Sequence, residues 1–116
     1  MLVKLLGILT SGKIESYNIM PIFPYILCAA VHFQNEKVYK HQPKNIKTGY
    51  VVCGRRHHNC YTTAWELNGE TKNEPTKCGF ITSNDLFVDR QEAAKIAYEA
   101  GQTDEESEGL VSEELY

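Results

Sequence analysis

The sequence predicts a single α+β domain in which a small antiparallel or mixed sheet packs against two main helices. Its 116 residues suffice for one core, and 42% hydrophobic with 23% charged residues is the composition of a globular chain. Short apolar runs of strand length alternate with two segments of helical periodicity. We divide the chain into an N-terminal arm or hairpin (1–24), a ligand-binding core (25–101) and an acidic C-terminal tail (102–116).

The first two strands are predicted over residues 25–33 and 49–54. The run from Ile26 to Val31 is apolar on both faces, which is typical of a central strand, and 49–54 is its expected partner. The basic residues between the two strands, 34–48, are expected to form a loop or an edge hairpin. Further along, residues 78–82 and 86–88 flank three turn residues and favour a hairpin.

The first helix is predicted over residues 60–68, with Asn59 as its N-cap. Cys60, Ala64 and Leu67 recur at helical spacing, so we expect them to form an inward stripe. The glycine that follows should end the helix.

The second helix is predicted to begin after Asp89, because Asp89 and Glu92 form a capping-box-like pair. Gly101 supplies a left-handed stop. Between them lies a stripe of mostly small apolar side chains: Ala93, Ile96, Ala97 and Ala100. Such a stripe allows close approach to a sheet.

Charge is unevenly distributed along the chain. Residues 1–58 hold eight Lys and Arg against two Asp and Glu, whereas residues 59–116 hold four against thirteen. This asymmetry is consistent with a basic working surface balanced by an acidic tail, and equally with two solvated faces.

The cysteines and the N-terminus indicate a cytoplasmic protein with reduced thiols. The short apolar run at the N-terminus lacks a cleavage site, so we expect no signal peptide, and no stretch approaches the roughly 20 apolar residues that a membrane span needs. The spacing of Cys53 and Cys60 does not fit a structural zinc site, and we expect neither a metal nor a cofactor.

Several cationic side chains fall where helix starts are predicted. A helix start carries partial positive charge, so a cation there is unfavourable unless an anion binds nearby. The guanidinium of Arg also presents a planar fork that suits phosphate. We therefore predict one anion pocket between the two helix starts, formed by Arg55, Arg56, His57, His58 and Arg90.

Three further residues complete the predicted ligand site. Phe80 could stack on a base, and Asn84 could donate an amide hydrogen bond to it, while Asp89 stands beside Arg90 at the second helix start. A lone Phe on a strand is nevertheless more often part of a core. The sequence leaves open which of Arg55 and Arg56 would face the ligand.

Other interpretations of the same residues remain open. The arginines could instead form ion pairs, Arg90 with Asp89 or Asp85 and the other two with the acidic tail. His57 and His58 could act as acid and base in a phosphodiesterase or nucleotide hydrolase. Nucleic-acid binding is a third function, but a pI near 5.8 counts against it.

Six separated motifs occur along the chain: ILCAAV (26–31), CGRRHHNC (53–60), GFIT (79–82), FVDRQEA (87–93), AGQ (100–102) and SEELY (112–116). In this order they resemble a family of small proteins from bacteriophages and prophages. The resemblance covers about residues 25–116. Within that family the chain resembles the sponge proteins that defeat the Thoeris defence by sequestering cyclic ADP-ribose isomers.

The resemblance implies a non-catalytic α+β protein that acts in the host bacterial cytoplasm. It would assemble as dimers or higher oligomers and bury an intact nucleotide signal, a cyclic ADP-ribose isomer or a cyclic oligonucleotide, between subunits. One of the arginines of the CGRRH motif, Phe80 and the turn before Arg90 would line the pocket. Residues 1–24 lie outside the resemblance, which implies no cofactor and no membrane.

Overall fold

A computed structural model describes residues 24–69 and 74–115, and it shows a four-stranded antiparallel sheet with two helices. The predicted α+β class is confirmed, in the antiparallel form. The strand order is β2–β1–β3–β4. The elements in chain order are β1 (Ile26–Phe33), β2 (Tyr50–Gly54), α1 (His57–Asn68), β3 (Thr76–Thr82), β4 (Phe87–Val88), α2 (Arg90–Glu99) and a final 3₁₀ turn (Ser112–Glu114). All but the last residue of the predicted N-terminal arm lies outside the described residues.

Strand β1 lies at the centre of the sheet, as its two-sided apolar pattern predicts. Val31 pairs with Val52 of β2 on one side and with Cys78 of β3 on the other. Ala29, Val31 and Phe33 are fully buried beneath the helices, whereas Ala30 is buried on the opposite face. The middle of β1, from Ala29 to Val31, is therefore covered on both faces of the sheet.

A β-bulge at Leu27 changes the alternation of β1. Ile26 pairs with Thr82 and Cys28 with Ile81, so Leu27 is an extra residue opposite a continuous partner strand. Leu27 is 47% exposed, and Ile26 moves to the helix-covered face, where it joins the core beside Phe80.

Both helices lie on the same face of the sheet. In α1, Cys60 and Ala64 are buried against Val31 and Phe33. In α2, the buried residues are alanines, which lets this helix lie close to β1 and β3: Ala93, Ala94 and Ala97. The two helix starts therefore approach one another above the middle of the sheet.

Helix α1 begins three residues earlier than predicted. Its N-cap is Arg56, whose carbonyl accepts the N–H groups of Asn59 at 3.0 Å and Cys60 at 3.4 Å. The Asn59 side chain accepts the Arg56 N–H at 3.0 Å, so it caps from the third helical position. The prediction that Leu67 faces inward is wrong, because the last turn of α1 lies at the end of the sheet and Leu67 is 77% exposed.

The remaining predicted elements are confirmed. Asp89 caps α2 by accepting the Glu92 N–H at 2.8 Å, and Gly101 follows the helix with φ of 79°. In the hairpin of β3 and β4, the Thr82 N–H donates a hydrogen bond of 2.9 Å to the Leu86 carbonyl next to the turn. No helix in the described ranges is long and apolar enough to cross a bilayer.

The loop of residues 34–49 covers the face of the sheet opposite the helices. Ile46 packs there against Ala30, Ile81 and Phe87. The Asn45 amide accepts the Phe87 N–H at 2.9 Å and donates to its carbonyl at 2.7 Å. Of the two predicted forms, a loop or an edge hairpin, the structure shows the loop.

The acidic tail is joined to β1 by Gln102. Its side-chain amide accepts the Ile26 N–H and donates to the Ile26 carbonyl, both at 2.8 Å. This pair of hydrogen bonds takes the place of a neighbouring strand at Ile26, because the pairing of β1 with β2 extends only from Ala29 to Phe33.

We expect Gly79→Ala to destabilise the fold strongly. A Cβ at this position would lie 2.2 Å from the Val88 carbonyl oxygen and 2.7 Å from Cζ of Phe87, so the β3–β4 pair would have to separate. The expected loss is about 1–3 kcal/mol of unfolding free energy, measured by urea denaturation. The matched control is Gly109→Ala, whose Cβ would meet Arg90 at an ordinary 3.5 Å. Equal losses in the two variants would contradict this account.

Candidate anion site at the paired helix starts

The imidazole of His57 joins the start of α1 to β3 and α2. Its Nε2–H donates to the Gly79 carbonyl at 2.9 Å, and its Nδ1 lies 3.4 Å from Nη2 of Arg90. The ring stands edge-on to Phe80, with centroids 5.1 Å apart and planes at 85°. The structure thus brings together two of the residues that the sequence places at separate helix starts.

These contacts require a neutral His57. A carbonyl can only accept, so Nε2 must carry the proton, and Nδ1 is then free to accept from the Arg90 guanidinium. Burial lowers the pKa of His57, and the charge of Arg90 lowers it further. The hydrogen bond to Gly79 and the charge of Glu113 oppose this shift.

Arg56 and Arg90 both bind backbone carbonyls of the acidic tail. Nη1 of Arg56 donates to Ser112 at 2.7 Å, and Nη1 of Arg90 donates to Leu110 at 2.9 Å. The Leu110 N–H returns a hydrogen bond to the Arg90 carbonyl at 2.9 Å. The two guanidinium groups therefore fix the course of the tail across the helix starts.

The alternative that Arg90 pairs with Asp89 or Asp85 is not what the structure shows. The Asp89 carboxylate caps α2, and Asp85 lies in the hairpin turn with φ of 67°. No carboxylate among residues 24–69 and 74–115 forms an ion pair with Arg90. The two groups that hydrogen-bond with this half-buried cation, a carbonyl and an imidazole, are thus neutral.

Arg55 and His58 are exposed beside this cluster. Together with Arg56 and Arg90 they form the basic surface, a name that we keep for these four residues. His57 lies beneath the basic surface as its support. Both arginines of the CGRRH motif thus belong to the region, the first exposed and the second holding the tail.

Phe80 and Asn84 occupy positions that the sequence did not reveal. Phe80 is 0% exposed in the core between the sheet and α2, so neither ring face is open to a base in this conformation. Asn84 lies in the hairpin turn, at the opposite end of β4 from Arg90, and its amide oxygen accepts the Thr82 hydroxyl. The structure does not bring these two side chains to the basic surface.

Sequence reasoning missed the carbonyls of Leu110 and Ser112, which contact the arginines directly. Backbone oxygens leave no sequence signature, and the tail was expected to act only through its carboxylates. The one available signal was the apolar Leu110 at the end of the acidic stretch. Leu110 is buried in the core, and this burial places its own carbonyl within reach of Arg90.

Two open cavities in the described part of the chain are acidic. One of about 570 Å³ lies between α2 and the tail, and another of about 380 Å³ lies along the tail. Carboxylates line both, so neither suits an anion. The first is lined by Asp89, Gln91, Glu92, Lys95, Glu106, Ser107 and Glu108. Neither of these two cavities is lined by a residue of the basic surface.

Comparison with known proteins assigns the chain to a phage family. The family described as "Phage T4 y16D protein" matches residues 25–116, which span every element from β1 to the tail. The chain belongs to the phage T4 y16D protein family. Neither a curated protein nor a solved structure matches it significantly. The predicted phage family is therefore confirmed, and all residues of the basic surface lie within the part shared with the y16D family.

We expect the His57 contacts to make stability depend on pH. Because folding lowers the pKa of His57, the unfolded chain takes up a proton first as the pH falls below about 6.5. The stabilising contribution is complete above that pH and is lost as the pH falls towards the folded-state pKa. The loss of unfolding free energy between about pH 7.5 and 5 should thus be smaller in His57→Gln than in the native chain.

The control for this experiment is His58→Gln, since His58 is exposed on the same helix. Urea denaturation at both pH values should give the native pH dependence in this variant. An unchanged pH dependence in His57→Gln would show that His57 is not neutral in the fold.

Proposed function

We propose that this phage protein is a non-catalytic binding protein that sequesters a nucleotide-derived immune signal in the cytoplasm of its bacterial host. The proposed ligand is a cyclic ADP-ribose isomer or a cyclic oligonucleotide. The observation that carries the proposal is the setting of Arg90, a half-buried cation bound to a carbonyl and to a neutral imidazole. A phosphate group would supply the negative charge that these dipoles lack.

The arrangement of the basic surface suits a diphosphate. Arg55 lies just before α1 and Arg90 is the first residue of α2, and the start of α1 contributes partial positive charge. Arg55 is the more exposed arginine of the CGRRH pair and is therefore the better candidate to contact the ligand, while Arg56 contacts the tail at Ser112. In this proposal Phe80 supports His57 from below and does not stack on a base.

The geometry favours binding over hydrolysis. Both ring nitrogens of His57 are engaged, by Gly79 and by Arg90, which leaves neither free to move a proton at a substrate. His58 is the next residue on the helix, about 100° around the axis, so the two rings do not face one phosphate together.

The proposal includes a homo-oligomer, a dimer or a higher assembly. Tight sequestration requires that most of the ligand surface be buried. The basic surface is open, and the neighbouring cavities are acidic. A second copy placed over the basic surface would provide the missing wall.

We expect purified protein to bind cyclic ADP-ribose isomers or cyclic dinucleotides in calorimetric titrations. Arg55→Gln and Arg90→Gln should each weaken binding about tenfold or more, because each removes a charge-assisted contact with phosphate. Lys95→Gln, which removes an exposed cation elsewhere on α2, should leave affinity unchanged. Thermal unfolding of each variant separates loss of binding from loss of fold.

Denaturing the complex tests whether the protein is an enzyme. The proposal requires that the nucleotide be recovered intact by chromatography. Recovery of hydrolysis products would instead indicate a phosphodiesterase. Binding that is equally strong in the native chain and in Arg90→Gln would contradict the assigned role of the basic surface.

A further inference from the structure

Five of the six lysines in the described part of the chain belong to the loop of residues 34–49 or lie beside it. Four are in the loop itself. The fifth, in β3, pairs with His32, whose Nε2 lies 2.9 Å from the Thr48 carbonyl oxygen, and it faces away from the helices because the next residue packs beneath α1. We call this group the lysine face: Lys37, Lys40, Lys44, Lys47 and Lys77.

The loop is fixed at both margins of the sheet, so its lysines stand on a preformed frame. The Gln42 side chain accepts the Val51 N–H at 2.8 Å beside β2, and the Lys44 N–H donates to the Asp85 carbonyl at 2.9 Å near the hairpin turn. Between these points Ile46 packs on the sheet. A site that is ordered before binding loses less conformational freedom when a ligand binds.

The positive charge of the lysine face is not neutralised by the chain itself. All five lysine residues are exposed, and within residues 24–69 and 74–115 none of their ammonium groups forms an ion pair. Three carboxylates lie in the loop or next to it, at Glu36, Glu74 and Asp85, and Glu74 is engaged by the Asn35 amide at 3.1 Å. Cations therefore outnumber carboxylates here, and an anionic partner would find unpaired ammonium groups.

The pI near 5.8 does not describe this face, because the acidic residues are concentrated elsewhere. Eight of the thirteen Asp and Glu residues that the structure describes belong to α2 and the tail. Interfaces between proteins are depleted in Lys, whereas interfaces with nucleic acid are polar and rich in positive charge. Val38 is the only strongly exposed large apolar side chain of this loop. The composition of the face thus favours nucleic acid over a protein partner.

The loop favours a duplex over a single strand. Proteins that bind single strands without sequence preference stack the bases on open aromatic rings. Tyr39, the one Phe, Tyr or Trp residue of the loop, is half-buried and edge-on to Tyr50, with ring centroids 5.1 Å apart. Its hydroxyl accepts a hydrogen bond from the Asn35 amide at 3.2 Å. This ring is therefore not presented for stacking.

We propose that the lysine face binds the phosphate backbone of double-stranded nucleic acid without reading its sequence. Lysine ammonium groups are point charges that bind phosphate, and contacts with phosphate position a protein on a duplex but carry no sequence information. The lysine face shares no residue with the basic surface, so this activity is independent of the proposed sequestration of a nucleotide.

The test is the fluorescence anisotropy of a short labelled DNA duplex titrated with the full-length protein at salt concentrations between about 50 and 200 mM. The logarithm of the association constant should fall with the logarithm of the salt concentration with a slope of about −4 to −5, because each of five phosphate contacts contributes about −0.9. Lys40→Gln and Lys44→Gln should each make the slope shallower by about one unit. Lys95→Gln, the matched control, removes an exposed lysine of α2 and should leave the slope unchanged.

A single strand of the same sequence should bind more weakly than the duplex, and a duplex of different sequence should bind equally well. The proposal would be overturned by a native chain that binds no duplex at the lowest salt, or by lysine-face variants whose slope equals that of the native chain. Polyglutamate that displaces the duplex as well as unlabelled DNA does, at equal charge concentration, would overturn it in favour of an acidic protein partner. Thermal unfolding shows whether each variant folds, and Lys47→Gln replaces any variant that does not.

Discussion

The contact between His57 and Arg90 depends on a neutral imidazole, and the arrangement of both helix starts depends on that contact. One ring spans three elements, since it belongs to α1, donates to Gly79 of β3 and accepts from α2. Arg90 in turn binds the Leu110 carbonyl, so the tail is held by the same chain of hydrogen bonds. Arg90, at the centre of this chain of hydrogen bonds, has no ion-paired carboxylate among the described residues, and the proposed anion site rests on this setting.

The elements with strong local signals could be predicted from the sequence. The two-sided apolar run of β1 allows few places other than the centre of a sheet, and the Asp89 cap with the Gly101 stop defines α2 almost to the residue. The start of α1 could not be predicted in the same way. Asn59 suits an N-cap, but the same side chain can also cap from inside the first turn, and only the path of the chain after Gly54 decides between the two.

The charged residues of the candidate site could be chosen from the sequence, but their arrangement in space could not. Arg55, Arg56, His57 and Arg90 could be selected because cations are unfavourable at helix starts, and the structure shows His57 in contact with Arg90. The burial of Phe80 could not be predicted, since an aromatic residue on a strand looks the same in sequence whether it faces solvent or a helix. The hydrogen bonds between Gln102 and Ile26 join residues 76 positions apart, and no local sequence pattern predicts such a contact.

The loop over the back of the sheet has a consequence for assembly. The Gln42 side chain accepts the Val51 N–H at 2.8 Å along the outer side of β2, while Asn45 occupies both polar groups of Phe87 on the outer side of β4. Side-chain amides from one loop thus occupy backbone groups at both margins of the four strands. Exposed margins invite a foreign strand to extend a sheet, which leads to fibrous association. In the described part of this chain the backbone groups of Val51 and Phe87 are already occupied, which disfavours such extension at both margins.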